Sequence, residues 1–455
     1  METLAGAARR LNAPLHGADA DFAAVNSDTR KLQRGDLFVA LKGERFDGHE
    51  FVARAGSLGA AGALVSRRID SGVPQILVAD TLSALQQLAH SWRKDFSLPV
   101  VAVTGSNGKT TTRQMLAAIF AARGPVLATE GNLNNHIGLP LTLLRLRDSH
   151  QTAVIEMGAN HFGEIAALTK IAEPDIGIVT QAGDAHLEGF GTREGVARAK
   201  GELFAALRPG GVAILNRDDA FYPLWRGLAT AASVISFGFH QQADVCALNV
   251  VAEPADAPKA TRFDLRAPDG RVSVLVPLPG RHNVANALAA AAAAIALGMD
   301  LPQVAQGLAQ VQGAGGRVTA RSTPEGARLI DDTYNANPTS LAAALELLAS
   351  AGGERIAVLG DMGELGPDSA RLHFEAGQKA RALKIDGLFA LGRLARETAA
   401  GFGAGARHFE SVEALAVELR AKLKTGVTVL VKGSRSARME RVVAALMHEQ
   451  IAETH

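Results

Sequence analysis

The sequence predicts an α/β protein of three units: a small N-terminal α/β domain, a central mostly parallel phosphate-binding sheet, and a C-terminal Rossmann-like domain. Three observations carry this. At 455 residues the chain exceeds what one core holds and fits roughly three domains of ordinary size. Short β-branched runs alternate with helical stretches, as in parallel strands joined by crossover helices. Residues 100–103 lead through a glycine loop at 104–108 into Lys109, Thr110 and a helical stretch at 111–122, a strand–loop–helix unit.

The elements follow in order. Residues 1–80 hold short strands at 36–41, 63–65 and 75–78, broken by polar and glycine turns. Residues 81–312 open with a helix at 82–92 and contain the glycine loop, then strands at 153–155, 176–180 and 212–215 with helical stretches between them. Two further runs, 262–266 and 271–276, flank Pro268, Asp269 and Gly270, a hairpin turn signal. An alanine-rich helix at 283–297 closes this segment. From 313 to 455 the alternation resumes, with strands at 328–330, 356–359, 387–391 and 427–431, a second doubly wound unit.

Composition narrows the function. The chain is 47% hydrophobic and 20% charged, ordinary for a soluble globular protein. Its 47 basic and 46 acidic side chains leave a net charge of +1, with no basic run or interleaved aromatic stripe, which argues against nucleic acid as a partner. A single cysteine, Cys246, excludes an intrachain disulfide and fits a reducing compartment. The N-terminus lacks the basic segment and apolar core of a signal peptide. No apolar run reaches the ~18 residues of a membrane span, so no membrane insertion is expected. The composition describes a cytoplasmic enzyme.

The glycine loop carries the chemistry. Thr104, Gly105, Ser106, Asn107 and Gly108 can curl backbone N–H groups around phosphates, the helix N-terminus adds its positive dipole end, and Lys109 supplies a point charge. The hydroxyl of Thr110 or Thr111 is placed to ligate Mg²⁺. Val103 stands where the longer Walker pattern has its first glycine, so the loop is a shorter G-x-x-G-K-T. Glu156, at the carboxyl end of the strand 153–155, emerges on the edge where such sheets bind ligands and can hold Mg²⁺ against the phosphates; a solvated loop glutamate is the plainer alternative. His186 follows the next strand on the same edge and could reach the same metal or be merely structural. By periodicity alone Lys200 is an ordinary surface lysine. Asn283 and Asn286 share a helical face, where their amides could read an adenine edge, unless Asn283 only caps the helix. Asp331, Asp332, Tyr334, Asn335 and Asn337 cluster after the strand 328–330, where a planar ring beside amides suits a base or ribose and turn chemistry would use similar residues.

In this order, the loop Thr104–Thr110, Glu156, His186, the Gly280 to Asn286 segment, Gly316-Arg317 and Asp332 resemble the Mur ligase superfamily over essentially the whole chain. Segments 129–135, 156–160, 331–338, 359–366 and 431–436 are similar to those of the members that add a dipeptide. Ser27, Asp28, Thr29 and Arg30, with 35–41 and 47–49, resemble their UDP-sugar-binding domain. The resemblance implies that ATP phosphorylates the terminal carboxylate of a UDP-N-acetylmuramoyl-tripeptide, after which the amine of D-alanyl-D-alanine displaces phosphate from the acyl phosphate. Position by position it implies that Thr110 or Thr111 with Glu156 binds one Mg²⁺, and that His186 and Lys200, the latter carbamylated, serve a second. It further implies that Asn286 contacts adenine, Arg317 the γ-phosphate and Asp332 the ribose, and that Ser27, Thr29, Arg30, Asn132, Asn134, Asn135 and Asn335 bind substrate. Gln181 departs from the pattern, in which asparagine commonly precedes the metal histidine.

Two alternatives are a folylpolyglutamate synthetase-like ligase, which lacks the Ser27–Arg30 segment, and a P-loop switch without ligase chemistry. Because the implied nucleotide contacts lie on two units, the site is complete only when these face each other. The hinge is expected at residues 312–316, and the unliganded chain, a monomer, is expected open, with Asp332 remote from Lys109.

Overall fold

The computed structural model describes residues 1–449 apart from 256 and 314. Among these residues the strands form a two-stranded ribbon and sheets of five, nine and six strands, and each of the three larger sheets falls within one of the three sequence segments.

In the N-terminal sheet the parallel strands Val25–Asn26, Leu37–Val39, Gly62–Val65 and Gln75–Leu77 lie side by side, with Leu15–His16 antiparallel at one edge. The helix Thr81–Arg93 joins this sheet to the centre. Thr81 Oγ1 donates to the Ala40 carbonyl at 2.9 Å, while Gln86 Nε2 donates to the His136 carbonyl at 3.0 Å and Trp92 Nε1 to Leu146 at 3.3 Å. Its apolar stripe, Leu85, Leu88, Ala89 and Trp92, belongs to one core that runs from Leu4 and Leu37 to Val100 and Ile155.

The central sheet places Val100–Thr104 between Thr152–Glu156 and Ile176–Val179, all parallel. Registers Glu156 with Val103 and Val179 with Thr104 bring three strand ends together beside the glycine loop. Fully buried Val, Ile and Ala side chains on these strands explain why they read as continuous apolar runs. The opposite face of the sheet is covered by the helices Lys109–Phe120 and Arg281–Ala296. Buried alanines at 287 and 289–294 let the second helix pack closely.

The hairpin Ala260–Ala267 and Gly270–Val276 forms with Ala267 opposite Gly270. It extends the central sheet through two strands the sequence reading passed over, Ser233–Gly238 and Val245–Glu253. The second of these changes register between Leu248 and Val251, with Asn249 at φ +51°, and this irregularity hides the period-two pattern.

The C-terminal sheet is parallel except for Thr319–Ser322 at its edge. Arg328–Asp332 pairs with Val427–Lys432, placing Asp332 beside Lys432. Apolar cores cover both faces.

The expected opening between these two units is not what is found. Asn107 pairs with Asn337, the Asp184 N–H donates to Thr339 Oγ1 at 3.2 Å, and His186 pairs with Glu364. The complementary polar groups of these loops hold the units in contact. The expected hinge includes Ala314, which lies outside the described residues. Within the rest, Gly316 adopts φ +68° and its carbonyl accepts from the Tyr334 N–H at 3.0 Å.

Candidate active site

A cleft of about 2060 Å³ opens between the central and C-terminal units at the carboxyl ends of their strands. The glycine loop forms its floor. Gly105 and Gly108 have φ +141° and +83°, and neither position admits a side chain. A Cβ would lie 1.9 Å from Thr180 Oγ1 at the first and 2.2 Å from Asn286 Oδ1 at the second. Thr180 Oγ1 donates to the Asn107 carbonyl at 2.6 Å, Ser106 Oγ accepts from the Gly183 N–H at 2.9 Å, and Thr104 Oγ1 donates to the Met157 carbonyl at 2.8 Å. The loop is thereby fixed to the two neighbouring strand ends. Lys109 Nζ donates to the Gly105 carbonyl at 2.7 Å, across the loop mouth. Burial lowers the pKa of Lys109, and Glu156 opposes that shift.

Glu156 is 3% exposed and fully engaged. It accepts from Thr110 Oγ1 at 3.0 Å and Asn134 Nδ2 at 3.0 Å, and Arg113 Nη1 lies 3.5 Å away. The Thr110 hydroxyl, donating its hydrogen bond to Glu156, keeps lone pairs for a cation. Thr111, Asn132 and Asn135 also line the cleft. Among the described residues, no three His, Cys, Asp or Glu side chains gather into a metal cage. The hydroxyl and carboxylate of Thr110 and Glu156 are the hard donors Mg²⁺ uses when phosphates complete its shell.

His186 and Lys200 each engage a partner of their own. His186, at φ +55°, lines the cleft with its Nδ1 against the Glu364 carboxylate, which holds the Glu364 pKa below the usual range. Lys200 is not a surface lysine. It is 1% exposed, donates from Nζ to the Ala159 carbonyl at 3.0 Å and lies 5.3 Å from the Phe190 ring centre. Burial, reinforced by Lys109, lowers its pKa to about 7.

On the far wall, Asn286 donates to Asn283 Oδ1 at 3.3 Å, and Asn283 donates to the Pro279 carbonyl at 2.8 Å. Gly280, not Asn283, is the N-cap of their helix. Arg317 stacks 3.8 Å from the Tyr334 ring centre. Asp332 accepts from Lys432 Nζ at 2.5 Å, and the same ammonium donates to the Asn335 carbonyl at 2.9 Å. Arg317, Asp332, Tyr334 and Asn335 share the cleft with Lys109.

Ser27, Thr29 and Arg30 do not line it. Arg30 forms an ion pair with Asp28 at 2.8 Å on the N-terminal unit. Sequence reasoning missed Arg113, Thr180 and Lys432. Arg113 alone left a signal, one helical turn beyond Lys109 on the same face.

A phosphate loop facing a second α/β unit across one cleft defines a nucleotide-dependent ligase of the Mur type. Residues 103–294 match the Mur ligase middle domain, 316–435 the Mur ligase glutamate ligase domain, and 21–93 the Mur ligase family catalytic domain. The chain belongs to the Mur ligase family. It is 45% identical over 439 residues to the UDP-N-acetylmuramoyl-tripeptide–D-alanyl-D-alanine ligase of Escherichia coli K12, covering 96% of each chain. Its fold superposes on a crystal structure of MurF from Acinetobacter baumannii with TM-score 0.92 and 38% identity, covering 98% of this chain and 99% of that one. The MurF ligase of Thermotoga maritima in complex with ADP gives TM-score 0.82 and 29% identity over 94% and 97%.

Proposed function

We propose that this chain joins D-alanyl-D-alanine to UDP-N-acetylmuramoyl-tripeptide at the expense of ATP, in peptidoglycan precursor synthesis. The observation that carries the reading is the cleft in which Lys109 and Glu156 of one unit face Arg317 and Asp332 of another. Full-length similarity to ligases of that name supports the choice of substrates, and the ADP complex of the Thermotoga relative supports the nucleotide. A P-loop switch has no use for the second unit.

A carboxylate is a poor electrophile, and transfer of the γ-phosphoryl group to it turns one of its oxygens into a leaving group. The dipeptide amine then attacks the acyl carbon, the C–O bond to phosphate breaks, and the amine sheds its proton. Lys109 and Arg317 offset the negative charge shared by the γ-phosphate and the carboxylate. The loop backbone cradles the phosphates, Asn286 with Asn283 faces the adenine, and Asp332 with Tyr334 faces the ribose. Thr110 and Glu156 would hold Mg²⁺, which would supply neutralisation of phosphate charge and polarisation of the transferred group. His186 and, once carbamylated, Lys200 would hold a second, the neutral amine of Lys200 being the form that takes up carbon dioxide.

Ser27, Thr29 and Arg30 bind the UDP end. Asn132, Asn135 and Asn335 line the path of the peptide, and Asn134 orients Glu156. We place the unit borders near residues 80 and 312 and assign a cytoplasmic monomer.

Phosphate release is the decisive assay. UDP-N-acetylmuramoyl-tripeptide and D-alanyl-D-alanine together should give sustained release, and omitting either should abolish it. Sustained turnover with ATP alone would return the chain to a nucleotide switch.

A further inference from the structure

The phosphate loop is held from outside by the other unit. The carbonyl of Asn107 is already engaged by Thr180, and its side chain crosses the unit boundary. Asn107 Nδ2 donates to Asn337 Oδ1 at 3.2 Å, and Asn337 Nδ2 donates to Asn107 Oδ1 at 2.9 Å. This is a reciprocal amide pair between residues 230 positions apart. Asn337 is 6% exposed and also caps the helix Pro338–Ala349, its Oδ1 accepting from the Ser340 N–H at 2.9 Å. Two residues on, Thr339 Oγ1 accepts from the Asp184 N–H at 3.2 Å, and a Cβ on Gly183 would come within 2.7 Å of that oxygen. Gly183 in turn donates to Ser106. The first turn of one helix therefore bears on the glycine loop directly at Asn107 and, through Asp184 and Gly183, on the segment that holds Ser106.

We propose that Asn337 is a positioning residue, paired with Asn107 so that the C-terminal unit docks in one register and Arg317 and Asp332 meet the nucleotide already held by the loop. The inference rests on the ligase reading and deepens it. An asparagine amide carries both a donor and an acceptor, so the pair is self-complementary only with an amide on each side. An aspartate or serine at position 337 keeps the acceptor that caps the helix. It cannot return the hydrogen bond to Asn107 in the same geometry. Two neutral hydrogen bonds bias docking without locking it, as a site that must reopen requires.

The test uses the full-length chain with Asn337→Ser, Asn337→Asp, Asn107→Ala and the double variant Asn107→Ala/Asn337→Ser. Ligation kinetics, affinity for a non-hydrolysable ATP analogue, melting temperature and small-angle scattering are measured on each. Each single variant should lower kcat by about 5- to 30-fold, the size of one or two neutral hydrogen bonds. In the Asn337 variants analogue affinity should stay within about twofold, since the loop binds nucleotide first, and the melting temperature should hold because the cap survives. The double variant should be no slower than the worse single one, because both lose the same pair. An unaltered kcat in Asn337→Ser, losses that multiply in the double variant, or a kcat loss that tracks melting temperature would each overturn the proposal. Should the wild type fail to ligate the dipeptide, the ligase reading falls. Scattering still decides the pair, through the loss of compactness expected in Asn337→Ser.

Discussion

Lys432 and Asp332 form a buried ion pair at 2.5 Å across two adjacent parallel strands, with the lysine 3% and the aspartate 8% exposed. The ammonium also ties down the Asn335 carbonyl, so one side chain fixes both ends of the turn that carries Tyr334. Lys432→Met leaves a carboxylate buried without its partner, and loss of one member of such a pair costs about 3–5 kcal/mol. The C-terminal unit should unfold at lower denaturant, and ATP affinity should fall with it. An unfolding midpoint equal to that of wild type would show that Asp332 finds another partner.

Lys109→Ala removes the charge at the loop mouth. Turnover should fall by at least about 100-fold, the scale for a preorganised group acting on a developing anion. The fold should survive, since the side-chain hydrogen bond of Lys109 is to the Gly105 carbonyl of its own loop and the residue lies half-buried. Far-UV circular dichroism with single-turnover phosphoryl transfer separates the two effects. Near-normal ligation by the variant would remove Lys109 from the chemistry.

Gly108→Ala probes the loop from its other side. The position has φ +83°, and the added methyl group would strike Asn286 Oδ1. Both the left-handed backbone and the contact oppose it. ATP-analogue affinity should drop more than 10-fold. A calorimetric titration showing wild-type affinity would mean that the loop relaxes freely.

The strand–loop–helix unit, the placement of Glu156 and the alternation in the last segment were legible because they are local: buried strands read as β-branched runs and the loop as glycines. Lys200 was not, since its environment is made by Ala159 and Phe190, and only folding reveals that a lysine in a helical pattern is buried. Asn337 reads locally as a helix cap before a proline, and its partner lies 230 residues away. The strand Val245–Glu253 was hidden by its own irregularity, and the docked units by polar contacts between loops that leave no periodic trace.

Gly315→Pro tests the connection between the units. A Cβ at Gly315 meets nothing within 4 Å, and proline there stiffens the backbone of the connection. Turnover should fall by more than ATP affinity does, because the first nucleotide contacts come from the central unit. Pre-steady-state mixing would resolve this: binding should stay fast while the step after it slows. Wild-type kinetics would move the hinge elsewhere in the connection.

Lys200 gives the chain a defined pH response. Burial is the main cause that lowers its pKa from 10.5 to about 7, with Lys109 adding to it and Glu164 and Glu202 opposing. In the unfolded chain the amine keeps its proton up to the higher value. Between about 7 and 10.5 the unfolded state therefore binds more protons, and this residue makes stability rise with pH; below about 7 both states are protonated and the slope vanishes. Carbon dioxide adds only to the neutral amine and releases a proton, so carbamate should accumulate in the same direction. At constant dissolved carbon dioxide, occupancy should rise from pH 6 to pH 8 until the site saturates, because the neutral fraction grows over that range. A labelled carbamate carbon seen by ¹³C NMR checks this directly. Lys200→Ala should lack the signal and be nearly inactive, with partial recovery in short carboxylic acids that fill the vacated space. No carbamate signal at pH 8, together with a fully active alanine variant, would leave Lys200 a buried lysine held by Ala159 and nothing more.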